Sequence, residues 1–447
     1  MKELVITGGT IINEGRRFAG YVMVCGDRIT EVGEGEFRPE RTFSGERIDA
    51  ADMLVLPGVI DDQVHFREPG LTAKGDIHSE SIAAVAGGVT SFMEMPNTRP
   101  ATVTLDLLEQ KYELGAASSL ANYAFYLGAT NENIAEIRQA DPRILCGVKV
   151  FMGSSTGNML VDDEKSLSAI FAESPVPVAT HCEDEAIVRR DMERFRQRCV
   201  DNITPAMHAE IRSAEACYRS SARAVELADR YGTHLHVLHL STAQELTLFD
   251  AKPPAAKKIT NEVCVHHLWF SDADYAEKGN LIKWNPSIKG AEERAGLRAG
   301  LLNGKVDVVA TDHAPHLLEE KERPYWDCPS GGPLVQHSLA AMLELARQGA
   351  WSYETVVEKM SHAPAIRFGV RDRGFLRAGA FADIVIVQPD APWAVEPENI
   401  LYKCGWSPFA GETFTHRVVY TLINGHVVNR RGRIDTEFRG VPLEFSR

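Results

Sequence analysis

A parallel (β/α)8 barrel with a small β domain built from both chain ends is the fold this sequence predicts, and three observations predict it. The middle of the chain alternates strand-like and helix-like segments eight times, the arithmetic of a closed α/β barrel. Both ends instead alternate short β-type runs with turns, the texture of hairpins. Histidines, a lysine and carboxylates fall where successive middle strands end, which is where barrels carry their chemistry. A doubly wound open sheet is the alternative, but it does not place such residues at nearly every strand end.

In chain order, the first elements are runs at 4–7, 21–25 and 29–32, separated by Gly8-Gly9 and Gly26-Asp27. Both glycine pairs read as hairpin turns. Apolar strand-like runs follow at 55–60, 90–95, 122–127, 146–152, 176–179, 235–240, 259–265 and 306–310. Helical segments are expected between them at 76–86, 104–117, 166–172, 209–231 and 292–302. Stretches 190–209 and 321–333 read as long insertions, the second placed to cover a site. The hairpin texture returns at 383–387 and 418–428, where Asn424-Gly425 is a strong turn signal. Isolated hairpins are marginal, so the two ends are expected to form one β-sandwich domain. The expected organisation is 1–55 and 373–447 for that domain and 56–372 for the barrel.

Composition narrows the function classes. Hydrophobic residues make up 44% and charged residues 25% of the 447, the balance of a globular protein. The net charge of −14 argues against a non-specific nucleic-acid binder or a protein drawn to anionic lipid. The eight cysteines form no C-x-x-C pair, which fits a reducing compartment. The opening MKELVITGGTIINEG reads as strand and turn rather than a signal peptide, and no run approaches the roughly 20 apolar residues of a membrane span. A cytoplasmic enzyme with a small-molecule substrate is expected, without nucleic-acid or membrane partners.

The chemistry-bearing residues come from separate strands. Gln63-Val-His65-Phe-Arg67 follows the first, Lys149 lies in the fourth, His181 ends the fifth, His239 the sixth, and Asp312-His-Ala-Pro-His316 the eighth. Imidazoles and carboxylates are the usual ligands of catalytic Zn²⁺. A lone strand-end histidine is more often an ordinary hydrogen-bonded group, so the argument rests on the constellation. Lys149 is either a solvated ammonium or, among Gly147, Val148, Val150 and Phe151, a desolvated amine of lowered pKa. An uncharged amine takes up CO₂ to form a carbamate, an anionic oxygen donor able to bridge two metals.

These residues resemble the amidohydrolase superfamily and, within it, the dihydroorotases. The carrying motifs are PGVIDDQVHFREPG at 57–70, MPNT at 95–98, GVKVFM at 147–152 and THCED at 180–184. Then come HVLHLST at 236–242, NP at 285–286, ATDHAPH at 310–316 and GWSPF at 405–409. They stand in family order and cover almost the whole chain; single motifs are shared with allantoinases and dihydropyrimidinases. The resemblance implies two zinc ions per chain, with His65 on one, His181 and His239 on the other, and carbamylated Lys149 bridging. It implies that Asp312 binds metal and serves as acid and base, that Arg67, Asn97 and His316 meet a substrate carboxylate, and that Asn285 lies near the ring. For His266, His267, Glu183 and His313 the expected roles are structural or supporting. A dimer or tetramer is a family-level expectation.

One departure stands out. The family pattern after the first strand is His-x-His, and this chain has Gln63 at the first position. Three outcomes are open: Gln63 ligates weakly, water replaces it, or the first metal site is partly filled. The implied reaction is reversible hydrolysis of dihydroorotate to N-carbamoyl-L-aspartate in pyrimidine biosynthesis. Arg67 favours a carboxylate-bearing ring, because a guanidinium fork suits a carboxylate, unless it pairs with Glu68 or Asp76 instead. Allantoinase or a dihydropyrimidinase-like hydrolase is the nearest alternative. A non-catalytic scaffold is the alternative from another class, supported only by Gln63. The small polar segment 153–159 is read as a βα loop, with lid motion as a side hypothesis.

Overall fold

The structure is a computed structural model that describes residues 2–39, 43–153, 159–199 and 203–447. Eight parallel strands form the barrel among them. In order these are Val59–Val64, Val89–Glu94, Asn122–Phe125 continued by Leu127–Gly128, Val148–Phe151, Val178–His181, Leu235–Val237, Ile259–Cys264 and Val308–Ala310. The ring closes where Val64 bridges His313 and the His65 amide donates to His313 O at 2.7 Å. Strand residues such as Val148, Val178, Leu235 and Val263 have no exposed surface, as expected for parallel strands covered by helices on the outside.

The outer helices start and stop where the sequence supplies caps. Asp76 caps Ile77–Ala86, Thr104 caps Leu105–Ser118 and Asp163 caps Glu164–Glu173, each accepting a backbone N–H of the first turn. The helix expected over 209–231 is two helices, His208–Ile211 and Ala214–Tyr231, because Ser213 caps the second by accepting from Ala216 N. That helix buries Cys217, Ser220, Ser221, Ala224, Leu227 and Ala228, one narrow stripe of small residues at helical spacing, and ends at Gly232 with φ +70°. The stretch 190–209 is not mainly a loop insertion. Helix Glu185–Arg198, capped by Asp184, occupies its first half.

The β domain is a nine-stranded sheet, eight strands in one path and Glu46–Asp49 pairing off it with Glu3–Asn13. Glu3–Asn13 sits centrally, between Arg16–Cys25 and Leu54–Pro57, and Leu54–Pro57 pairs antiparallel with Ile384–Gln388 from the far end of the chain. Leu4, Ile6, Val22, Val24, Ile384, Ile386 and Leu422 share its core. The run expected at 55–60 is therefore split: Leu54–Pro57 belongs to this sheet and Val59–Val64 to the barrel. Asn424 and Gly425 both have positive φ and turn the chain between Arg417–Ile423 and His426–Arg430. Gly8-Gly9 is a correction. It is a bulge inside one long strand, with the register shifting between Thr7 and Gly9, and the actual turn is Glu14-Gly15. A side chain on Gly9 would meet Val55 Cγ2 at 2.6 Å, so glycine is set here by close packing. The last residues leave the sheet for the barrel's N-terminal end, where Arg447 donates to Leu145 O, Cys146 O and Phe368 O.

Candidate active site

The C-terminal strand ends surround a cavity of about 340 Å³. Gln63, His65, Arg67, Asn97, Lys149, His181, His239, Asn285, Asp312 and His316 all line it. Three of them, Arg67 (φ 72°), His239 (φ 40°) and Asp312 (φ 48°), adopt a left-handed backbone that L residues rarely enter. Such conformations cost about 1–3 kcal/mol each and persist only where the surroundings impose them. Here they swing side chains off the strand direction into the pocket.

The histidines are arranged as ligands rather than as charges. Burial depresses His65, His181 and His239 below the ordinary imidazole range. His181 Nε2 lies 3.0 Å from Glu183 Oε2, and a carboxylate there fixes the proton on Nε2. That leaves Nδ1, with its lone pair, facing His239 Nε2 at 3.0 Å. Burial raises Glu183, but Arg212 and His181 outweigh it and hold the carboxyl at about 2. On the other wall, His65 Nδ1 lies 2.8 Å from Asn97 Oδ1, an oxygen that can only accept. The His65 Nε2 lone pair is thus aimed at Asp312 Oδ1, 3.1 Å away. Lone pairs and a carboxylate converging at such distances, out of water, fit a cation between them.

Lys149 is 1% exposed, and its ammonium lies 4.8 Å from the Phe151 ring centre. Burial brings its pKa down to about 8, against the opposing pull of Asp312 and Glu262. Burial likewise pushes Asp312 up to about 7, against Lys149, His181 and Arg67. A buried amine that sheds its proton near neutrality has the reactivity that carbamate formation needs.

Gln63, for which weak ligation was one of three expected outcomes, is held by two side chains. Its Nε2 donates to Asp312 Oδ1 at 3.3 Å, and its Oε1 faces the Cys264 thiol at 3.7 Å. The atom turned to the pocket's carboxylate is therefore a donor with no lone pair to give a metal. The reason is electrostatic: an amide oxygen placed against Asp312 would be repelled, whereas the NH₂ group is attracted.

Opposite the ligand cluster is a wall of donors. Arg67 is 7% exposed, with Nε donating to Pro315 O at 3.0 Å and Nη2 lying 3.1 Å from His316 Nε2. Neither Glu68 nor Asp76 is its partner: Glu68 accepts from Ile77 N, and Asp76 pairs with Lys403. Lys74, which sequence reasoning passed over, donates to His316 Nδ1 at 2.9 Å and pairs with Glu320 at 2.9 Å. His316 Nδ1 also lies 3.5 Å from Glu320 Oε2, and its Nε2 lies 3.1 Å from Ser330 O. Arg67, Lys74 and His316 thus converge at one side of the pocket. Asn285 stands at the pocket edge with Oδ1 3.1 Å from His208 Nε2.

Three further histidines, His266, His267 and His313, are buried around the strand ends. His313 Nε2 lies 2.9 Å from Glu80 and its Nδ1 accepts from Leu334 N, so it braces the eighth strand. His266 stacks on Trp284 at 4.6 Å, and His267 lies 3.2 Å from Pro286 O. From stretch 321–333, Pro329, Ser330 and Gly331 line the cavity. The small polar segment's residues 154–158 lie outside the described residues.

Comparison with known proteins agrees with this geometry. The amidohydrolase family matches residues 54–428. A dihydroorotase of Methanothermobacter thermautotrophicus is 31% identical over 93% of this chain and 93% of its own. One of Halobacterium salinarum is 34% identical over 90% and 95%. The solved L-hydantoinase (dihydropyrimidinase) of Arthrobacter aurescens superposes with a TM-score of 0.92 at 26% identity, covering 97% of this chain and 98% of that one. The chain belongs to the amidohydrolase family, among its dihydroorotase-like cyclic amidohydrolases.

Proposed function

We propose that this chain hydrolyses dihydroorotate reversibly to N-carbamoyl-L-aspartate, the ring-closing step of pyrimidine biosynthesis when run in reverse. The observation that carries the reading is one pocket holding a metal-type donor cluster on one wall and the Arg67–Lys74–His316 donors on the other. A ring amide with a carboxylate substituent matches both walls at once. Its relatives' names, dihydroorotase, support the same substrate.

Two zinc ions per chain is the cofactor content this reading implies. His181 and His239 would hold one, His65 and Asp312 the other, and carbamylated Lys149 would bridge them. Gln63 lies beside the His65–Asp312 site without ligating it. Bound metal supplies an acidified water and a polarised carbonyl. Asp312 receives the proton of the attacking water and passes it to the leaving ring nitrogen. Gln63 Nε2 donates to that carboxylate from one side, and the His65 Nε2 lone pair faces it from the other. Arg67, Lys74 and His316 bind the substrate carboxylate and orient the ring, Asn97 fixes the His65 tautomer and adds its amide to the same wall, and Asn285 bounds the ring edge. The barrel is assigned to 56–372 and the β domain to both flanks. A homo-oligomer in the cytoplasm is the expected setting.

The Asp312→Ala protein tests the scheme. It should keep its fold, read by circular dichroism, and lose at least about 10²–10⁴ of its turnover. Ordinary activity in that variant discards the mechanism.

A further inference from the structure

One layer deeper in the barrel, Asp62 of the first strand, His236 of the sixth and Glu262 of the seventh meet, each without exposed surface. His236 Nε2 lies 3.2 Å from Asp62 Oδ2 and 3.2 Å from Glu262 Oε2. The ligand-type atoms of the three all fall within 4.8 Å of one another. Thr260 Oγ1 donates to Leu235 O at 3.3 Å, so it accepts from His236 Nδ1 at 2.9 Å. In the neutral imidazole that proton on Nδ1 leaves a lone pair on Nε2, aimed at two carboxylates. Both oxygens of Asp62 are buried and neither receives a hydrogen bond. Glu262 Oε1 accepts from the His239 amide at 3.1 Å, which ties the cluster to the backbone of the pocket above.

Burying two carboxylates against an imidazole lone pair is costly unless a positive charge joins them, either a metal ion or the proton that burial and Asp62 favour on Glu262. Zn–N and Zn–O bonds of roughly 2.0–2.2 Å at a tetrahedral angle put neighbouring donors about 3.4 Å apart, close to the separations found here. Two carboxylates also balance a divalent charge. We propose that Asp62, His236 and Glu262 form a further cation site, distinct from the pocket, which takes Zn²⁺ and ties the first strand across the barrel to the sixth and seventh.

The site is testable apart from catalysis. Crystals of the full chain grown with Zn²⁺ should show anomalous scattering at the zinc edge between the three side chains, in addition to any zinc in the pocket. In parallel, a His65→Ala/Lys149→Ala/His181→Ala/His239→Ala protein, folded by circular dichroism and dialysed after zinc loading, should retain about one zinc by mass spectrometry, and retention of none overturns the proposal. Adding His236→Gln should remove it. No anomalous peak at the triad, whatever the pocket holds, overturns the proposal. So does a retained zinc that survives His236→Gln. Failure of dihydroorotate turnover leaves both readouts intact, so this site and the proposed activity fail separately.

Discussion

Replacing Arg67 by alanine probes the substrate assignment most sharply. Nε donates to Pro315 O and one Nη2–H faces His316, so three of the five guanidinium N–H remain for a ligand, and a single charge-assisted bond to it sets the lower bound of the loss. Hydrogen bonds to charged groups contribute about 1.5–3 kcal/mol. At 1.36 kcal/mol per decade, the loss in kcat/KM for dihydroorotate should be at least roughly 10- to 150-fold. The backbone adds no complication, because arginine and alanine tolerate φ 72° about equally poorly. Arg67→Lys should recover little, since a lysine cannot span Pro315 O, His316 and a ligand together. Steady-state kinetics with dihydroorotate and with uncharged dihydrouracil separate the effects. Dihydrouracil turnover should change little, because that ring offers Arg67 no carboxylate. A kcat/KM for dihydroorotate within twofold of the parent, or an equal fall for both rings, would refute the reasoning.

Three further outcomes follow from the geometry. Gln63→His should tighten the weaker zinc by at least about tenfold, the scale of changes around metal ligands, in competition with a chromogenic chelator; unchanged affinity would mean Gln63 already ligates. In metal-free protein at fixed dissolved CO₂, ¹³C carbamate on Lys149 should form more readily as pH rises through about 8. The sign follows from burial, which disfavours the ammonium and frees the amine well below the ordinary lysine value; a rise only near pH 10 contradicts it. Lys321 is 2% exposed and donates to Lys283 O, Pro329 O and Gly331 O, pinning the segment that lines the pocket. Lys321→Met should therefore lower stability by about 1–3 kcal/mol in urea denaturation and raise KM; unchanged values would show that the segment is held otherwise.

The barrel was legible because parallel strands buried on both faces write continuous apolar runs, as at 148–151 and 259–264. The cluster of imidazoles, lysine and carboxylate was legible because a barrel collects its strand ends on one face, so residues as distant as His65 and Asp312 meet. Other features were hidden by what sequence patterns omit. A glycine pair spells turn or bulge alike, and only the packing of Gly9 on Val55 decides it. Ser213 inside a helical run reads as tolerated until it caps a new start. Lys74 carried no signal, because a long side chain's reach to His316 depends on how its loop folds. The orientation of Gln63 depends on Asp312 and Cys264, residues 249 and 201 positions away.

The central claim is tested most directly by turnover of dihydroorotate, allantoin and dihydrouracil on one zinc- and bicarbonate-loaded, metal-quantified sample. The account predicts a strong preference for dihydroorotate with zinc bound. A preference for allantoin or dihydrouracil would contradict the carboxylate wall, and a chain with neither zinc nor activity on any of the three would contradict the enzyme itself.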